Sequence, residues 1–316
     1  MTTTETCKSL VVESSVVNCL YDIVVIFDVH GNPNGDPDSD NHPRQDFQTG
    51  LGYITDASTK RHIRDYVMMN FVDVPGMDIW IKPGAVLNQA IQAARQRAGV
   101  PLVVKGKDQP KSLVQHAMAA QAEMTRTYYD VRAFGGMMAT EADAGRNCGP
   151  VQVSYAISVD PITVDIDTVT RMAVATEQEA KKQGGQNRTM GRNYRIPYAV
   201  YKCHTTINPF RAEQNRFTEH DLTIYLEALL HMHRISRSAG RDMSTLKVVV
   251  FRHPNKLGVC NNRSLVDCVQ VKKLVDHPRS PKDYEITVDT TGINPKIEVI
   301  VLDDSSDVSA IFTNGS

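Results

Sequence analysis

Asp36, Asp38 and Asp40 stand at alternating positions in one polar stretch and are the first residues of the chain whose spacing could hold an ion. They resemble the start of a calcium-binding loop, which also needs glycine at its sixth position and glutamate at its twelfth. Counted from Asp36, those positions are Asn41 and Phe47, so the calcium pattern fails. A magnesium-dependent ribonuclease built on Asp28, Asp36 or Asp38 stays open as a rival reading. His231 and His233 lie two apart on a helical pattern and face different ways, whereas metal pairs on helices use spacings of three or four. Gly184-Gly185 follows its lysines instead of preceding one, and neither GKS nor GKT occurs, so it is no phosphate loop. No serine–histidine or cysteine–histidine spacing is informative. The expectation is no catalytic residue, no metal and no cofactor.

Cations beside apolar residues point elsewhere. TYYDVRAFGG reads as a strand, which would put Arg132 and Phe134 on one face, a phosphate contact beside a base-stacking ring. The following RAFGGMMA is a weak echo of the RNA-recognition signature. Between residues 181 and 216, eight lysines and arginines face one acid, Glu213. Glycines accompany them, as in a flexible arm that meets phosphates. Met190 sits between Arg188 and Arg192, where it could separate bases or pack on its own domain. Lys60 and Arg64 share one side of a helix, and Arg61 is their neighbour.

These residues need elements to hold them. Tyr21–Val29 is mostly β-branched and aromatic and predicts a central strand covered on both faces. The prolines and Asn-Gly of the next stretch stop it, giving a long loop of the kind that carries function. Thr55 or Ser58 can cap the helix that follows, with Ile63, Tyr66 and Val67 inward. Residues 71–83 read as an extended excursion around Trp80, and 84–98 as a helix with Val86, Leu87, Ala90, Ile91 and Ala94 facing the core. A further helix starts near Ser112. GPVQVSYAISVDP alternates as one strand, with Val151, Val153, Tyr155 and Ile157 on one side. Tyr194–Ile207 is a strand again. Thr218 and Asp221 open a helix in capping-box style, with Leu222, Tyr225, Leu226, Leu229 and Leu230 as its stripe. TLKVVVF and DYEITVD close the series, and residues 303–316 read as poorly ordered. The order β–α–(α)–β–β–α–β with long insertions predicts an α+β, ferredoxin-like layout of the RNA-recognition type.

At 316 residues and a net charge of −1, the chain can bury a large core, and any basic surface must be local. It shows no secretory signal and no apolar run of membrane-spanning length. Six cysteines, without a CxxC pair, fit a reducing cytoplasm. Three functions remain open on the residues alone: a nucleic-acid binder, the metal-dependent ribonuclease, and an interaction module that meets no nucleic acid.

FDVHGNPNGDPDSDNHPRQDFQTGLGYITDASTKRHIRDYV resembles the opening block of the CRISPR-associated backbone subunits of type I Cascade complexes, the Cas-seven family, most like the type I-C and I-B forms. The likeness resumes at YYDVRAFGGMM, GPVQVSYAISVDPI and MGRNYRIPYAVYKCH, and continues through FTEHDLTIYLEALLHMHRISRSAGRDMSTLKVVVF to SPKDYEITVD. The resemblance implies a modified RNA-recognition palm with finger and thumb insertions, in a subunit that binds and does not cut. It implies as partners the CRISPR guide RNA, neighbouring copies of the same chain and other Cascade subunits. Target DNA, met through the guide heteroduplex, and a recruited helicase–nuclease complete that set.

Carried onto this chain, residues 1–19 become an N-terminal arm and 20–290 the palm. Fingers come from about 71–110, the thumb from about 158–195, and 291–316 form a tail. The palm sheet would use 21–29, 126–134, 149–157 and 245–251. Guide contacts would come from Arg44, Lys60, Arg61, Arg64, Arg132, Phe134, Gly135, Arg188, Met190 and Arg192. Lysine and arginine neutralise phosphate without reading sequence, as a subunit that tiles any guide requires. HGNPNGDP departs from relatives that carry a longer or more acidic run before NPNGDP.

Overall fold

The structure is a computed structural model that describes residues 14–102, 113–140, 142–182, 189–309 and 311. It begins with β1 (Tyr21–Gly31), the short pair β2 (Gly35–Asp36) and β3 (His42–Pro43), and β4 (Leu51–Ile54). Helices α1 (Asp56–Asn70), α2 (Leu87–Arg97), α3 (Leu113–Thr127) and α4 (Tyr129–Phe134) follow. Next come β5 (Gly135–Met137), β6 (Arg146–Cys148), β7 (Val151–Val153), β8 (Ala156–Pro161), β9 (Asp165–Arg171) and α5 (Glu177–Lys182). The long strand β10 (Thr189–Ile207) leads into α6 (Pro209–Asn215), α7 (Glu219–Ile235) and β11 (Arg241–Arg252). The chain closes with α8 (Asn262–Cys268), β12 (Val269–Lys273), β13 (Tyr284–Val288) and β14 (Glu298–Leu302).

The main sheet runs β14-β11-β1-β10-β8-β4, and its pairings are antiparallel. β1 lies inside it, with Val25 opposite Cys203 of β10 on one side and Val248 of β11 on the other. Tyr21, Ile23, Val25, Phe27 and Val29 pack into a core shared with α1 and α7. Val24 and Ile26 face a second core with Leu265, Val269 and Tyr284. Both faces of β1 are therefore covered, which is why its sequence is a continuous apolar run instead of an alternation. A third cluster joins α2, α3 and α4 around Trp80, Ile91 and Met124. The Thr218–Asp221 capping box forms as the sequence predicts, and Leu222, Tyr225, Leu226, Leu229 and Leu230 are all buried. Among the described residues no helix is long and apolar enough to cross a membrane.

Several expectations are corrected. Residues 129–134 form a helix, so 126–134 contribute no strand to the sheet; β8, β4 and β14 extend it instead. The reason is tertiary: buried Asp130 and Arg132 need partners in opposite directions, and a helix separates positions two apart by about 200°. The single strand expected at 149–157 breaks at Ser154, whose hydroxyl accepts from the His204 backbone N–H. Past that break Ala156 and Ser158 face inward, while Tyr155 and Ile157 are exposed. Helix α2 begins at Leu87, with Ile91 and Ala94 buried but Val86 and Leu87 exposed.

Both ends of the described chain are tied down. Val17 is buried and donates its N–H to Phe217, and Val16 bridges to Thr218. Within the expected tail, β14 pairs with β11 from Val248↔Leu302 to Arg252↔Glu298, and Val308 is buried.

Candidate nucleic-acid interface

The loop after β1 is a braced connector. Asn32 donates to the Asn41 carbonyl at 2.6 Å, and the Asn34 side chain accepts from the Thr55 N–H at 3.0 Å, fixing the loop to the start of α1. Asp36 accepts from the Asp38 N–H and pairs with Arg44 at 3.4 Å. Asp40 and Asn41 hold left-handed backbone, φ 51° and 62°, which short polar side chains tolerate best after glycine. The Tyr194 hydroxyl donates to Asp40 at 3.4 Å, and its ring centroid lies 5.1 Å from that of His42. The loop thus links α1 to the far end of β10. Asp36 is spent on its turn and on Arg44, and Asp40 on Tyr194. Among the described residues no group of three His, Cys, Asp or Glu side chains could hold a metal ion.

Arg44, Lys60, Arg61 and Arg64 take four different positions. The Arg44 Nε is buried and has no hydrogen-bond partner among the described residues, although its Nη1 meets Asp36. Lys60 pairs with Asp56 at 2.9 Å and lies 5.8 Å from the centre of the Phe134 ring. The Arg64 guanidinium lies 5.4 Å from the same ring, and its Nε donates to Asp130 at 2.8 Å. Lys60, Arg64 and Phe134 are therefore brought together, by helical spacing on α1 and by the end of α4. Arg61 points outward and pairs with Asp65 at 2.9 Å.

Arg132 does not join that cluster, and the shared strand face expected for it and Phe134 does not exist. It is buried, with Nε and Nη2 on the two Asp221 oxygens at 3.0 and 2.7 Å. Its remaining donors reach the carbonyls of Thr125 and Gly76. Each of the three guanidinium nitrogens is bonded inside the fold. Gly135 holds φ +79°, and a Cβ there would overlap the backbone of Gly149, so this position serves a close approach of two chain segments.

β9 and the first half of β10 form a hairpin in the register Met190↔Thr170, Arg192↔Thr168, Tyr194↔Ile166. Directly paired residues share a face, so the intervening pairs, Gly191↔Val169, Asn193↔Asp167 and Arg195↔Asp165, occupy the other. All carboxylates of the paired stretch lie on that second face, where Arg195 meets Asp167 at 2.8 Å and Asp165 at 3.5 Å. The first face carries Met190, 73% exposed, Ile166, 62% exposed, and exposed Arg192, which makes no ion pair among the described residues. Among the described residues Met190 does not pack on its own domain. Arg188 and Gly184-Gly185 lie outside the described residues. Ile166 was missed in the sequence, although the alternation of DIDTV, with acids on one side, was a signal for it.

Buried titratable groups elsewhere belong to the scaffold. Burial raises the Asp28 carboxyl above its ordinary value, and Tyr198 donates to it at 3.3 Å. Burial also pushes Asp22 upward, but hydrogen bonds from His204, Thr206 and His253 outweigh it and hold the group below the ordinary carboxylate value.

A sheet covered on both faces and a two-faced hairpin define an α+β protein; the paired strands place no carboxylate of their own on the hairpin's first face, which meets Asp40 at Tyr194. The sequence profile of the family described as CRISPR-associated protein Cas7 matches residues 20–289, and the chain belongs to that family. The CRISPR-associated protein Cas7 of Haloferax volcanii is 26% identical over 218 residues, which are 64% of this chain and 60% of that protein. The chain thus spans less than two thirds of that relative's length. Among solved structures, a chain of a CRISPR RNA-guided surveillance complex in a pre-nicking state aligns with TM-score 0.46 and 16% identity, over 73% of this chain and 78% of that one. A chain of another CRISPR RNA-guided surveillance complex gives TM-score 0.39 and 13% identity, over 73% and 68%.

Proposed function

We infer that this chain is a non-catalytic subunit that polymerises along CRISPR guide RNA as the backbone of a type I Cascade complex. It supports pairing of the guide with target DNA and works with other Cascade subunits and a recruited helicase–nuclease. The palm is an RNA-recognition-like sheet, 158–195 are the thumb, and the lobe around α2 is the fingers. Membership of the Cas7 family supports this reading.

The observation that carries it is the division of the hairpin into two faces. A subunit that tiles guides of any sequence needs phosphate contacts and apolar surface without carboxylates to repel the strand. The Met190–Arg192–Ile166 face has that composition, while Asp165 and Asp167 are turned to the opposite side. Arg44 on the connecting loop and Lys60 in the first half of α1 extend the cationic path, each beside a paired carboxylate, Asp36 and Asp56. Arg61 is an exposed candidate and Arg188 stays a proposed contact, whereas Arg64, Phe134 and Gly135 are buried and serve the interface only as internal support. Arg132 stays in it only as an internal support, because it is buried and paired with Asp221.

The test is the salt dependence of binding to guide-length RNA. Affinity should fall steeply between low and moderate salt, and Arg192→Glu should weaken it without lowering the melting temperature. Normal RNA loading by Arg192→Glu would refute the hairpin assignment.

A further inference from the structure

Phe47 is 101% exposed, the full exposure of a large aromatic side chain, yet the turn that carries it is tightly held. The Asp46 carboxylate accepts from the N–H groups of Gln48 and Thr49 at 2.8 and 3.0 Å, which hold it below its ordinary pKa. The Gly50 N–H donates to the Asp46 carbonyl, and the Asp46 N–H to that of Leu51. Such a turn has already lost its conformational freedom, so a ligand that met Phe47 would have little left to order.

The turn is also fastened to the root of the hairpin. The Ile162 N–H donates to the Gly50 carbonyl at 2.9 Å, and the Gln45 amide bridges the Gly50 and Ile162 carbonyls at 2.8 and 3.2 Å. Pro161–Ile162 is the stretch that carries the chain from β8 into β9. Two isolated apolar side chains therefore project from one connected framework: Phe47 at the hairpin's root and Met190 on its paired stretch.

We propose that Phe47 is a stacking platform for a nucleobase of the bound single strand. The inference rests on the guide-RNA reading above and deepens it. A benzyl ring stacks on any base because every base offers a π face, so the contact tolerates sequence as a guide-tiling subunit must. The Asp46 carboxylate beside it takes two backbone N–H groups on Oδ1, and Arg44, three residues before Phe47, pairs with Asp36. The exposed Gln48 amide can meet the edge of the stacked base.

The full-length chain carries its own control, because its one tryptophan, Trp80, is buried. Phe47→Trp adds a single exposed indole whose fluorescence should be quenched by a uridine oligonucleotide and not by an abasic strand of the same length. Phe47→Ala should lose roughly 5- to 100-fold in affinity for the uridine oligonucleotide, and Phe47→Trp should keep it. Binding by all three proteins with no quenching and no loss in Phe47→Ala would overturn the stacking role alone. Reduced self-association of Phe47→Ala at unchanged RNA affinity would also overturn it, making Phe47 a contact between copies. If the unaltered chain and Phe47→Trp both fail to bind, the guide-RNA reading falls with it.

Discussion

Arg132 and Asp221 meet through Nε and Nη2 on one side and both carboxylate oxygens on the other, buried between α4 and the first turn of α7. The same Asp221 carboxylate accepts from the Thr218 N–H as the closing half of the capping box. One carboxylate thus fixes the start of the longest helix stripe in the core and the orientation of the short helix that ends at Phe134.

Breaking that pair should unfold, not disarm. Arg132→Ala leaves a buried carboxylate uncompensated and should cost about 3–5 kcal/mol of stability. Urea melts at neutral pH measure it. The variant that remains folded should keep the slope of RNA affinity against salt, because this arginine is buried and its charge is paired with Asp221. A reduced salt slope at unchanged stability would show that Arg132 reaches the strand after all.

Two buried histidines make stability depend on acid. The rings of His62 and His233 lie 5.5 Å apart, and burial lowers their pKa to about 4 and about 3. In the unfolded chain both take up protons near the ordinary histidine value of 6.5. Between these limits the unfolded state binds more protons, so stability falls as pH drops from 7 toward 4. Each histidine contributes up to about 1.4 kcal/mol per pH unit. His233→Phe, placed beside Phe27, should hold its stability at pH 7 and show a shallower loss on acidification. Parallel pH profiles for the two proteins would contradict this.

Gly135 and Gly149 tolerate no side chain. A Cβ on either would enter the other segment's backbone, and Gly135 also holds positive φ. Gly135→Ala should cost more than about 1 kcal/mol, read as a lowered denaturant midpoint. An unchanged midpoint would mean that the β5–β6 segment can shift without loss.

Arg192 is the clean electrostatic probe, being exposed and free of ion pairs among the described residues. Arg192→Ala should remove one phosphate contact, reducing the slope of log affinity against log salt by about 0.7 for a single strand. Arg61→Ala, whose partner Asp65 already neutralises it on the outer side of α1, should change the slope less. Equal changes would argue that the strand runs along α1 and not along the hairpin.

Where local pattern and tertiary demand agree, the sequence was readable. β1 is apolar on both sides because both sides are covered, and the Thr218–Asp221 cap announces α7 by residue type and spacing alone. At Tyr129–Phe134 the aromatic and β-branched residues favour a strand, but the ion pairs of Asp130 and Arg132 decide for a helix, and those partners lie far away in sequence. The cations were visible as types but not as roles: nothing near Arg132 in the chain discloses Asp221, and nothing near Arg192 discloses that its neighbours on β9 are threonines. Phe47 was hidden for a related reason, since its exposure follows from a turn secured to Ile162.

The central claim is tested most directly by expressing the chain with a CRISPR array and its neighbouring genes, purifying it at moderate salt and sequencing the RNA that comes with it. Guide-length RNA of discrete size in a particle much larger than the 35.1 kDa chain is the result predicted. A monomer free of RNA under those conditions would contradict the account and leave the acid-free face of the hairpin to some other partner.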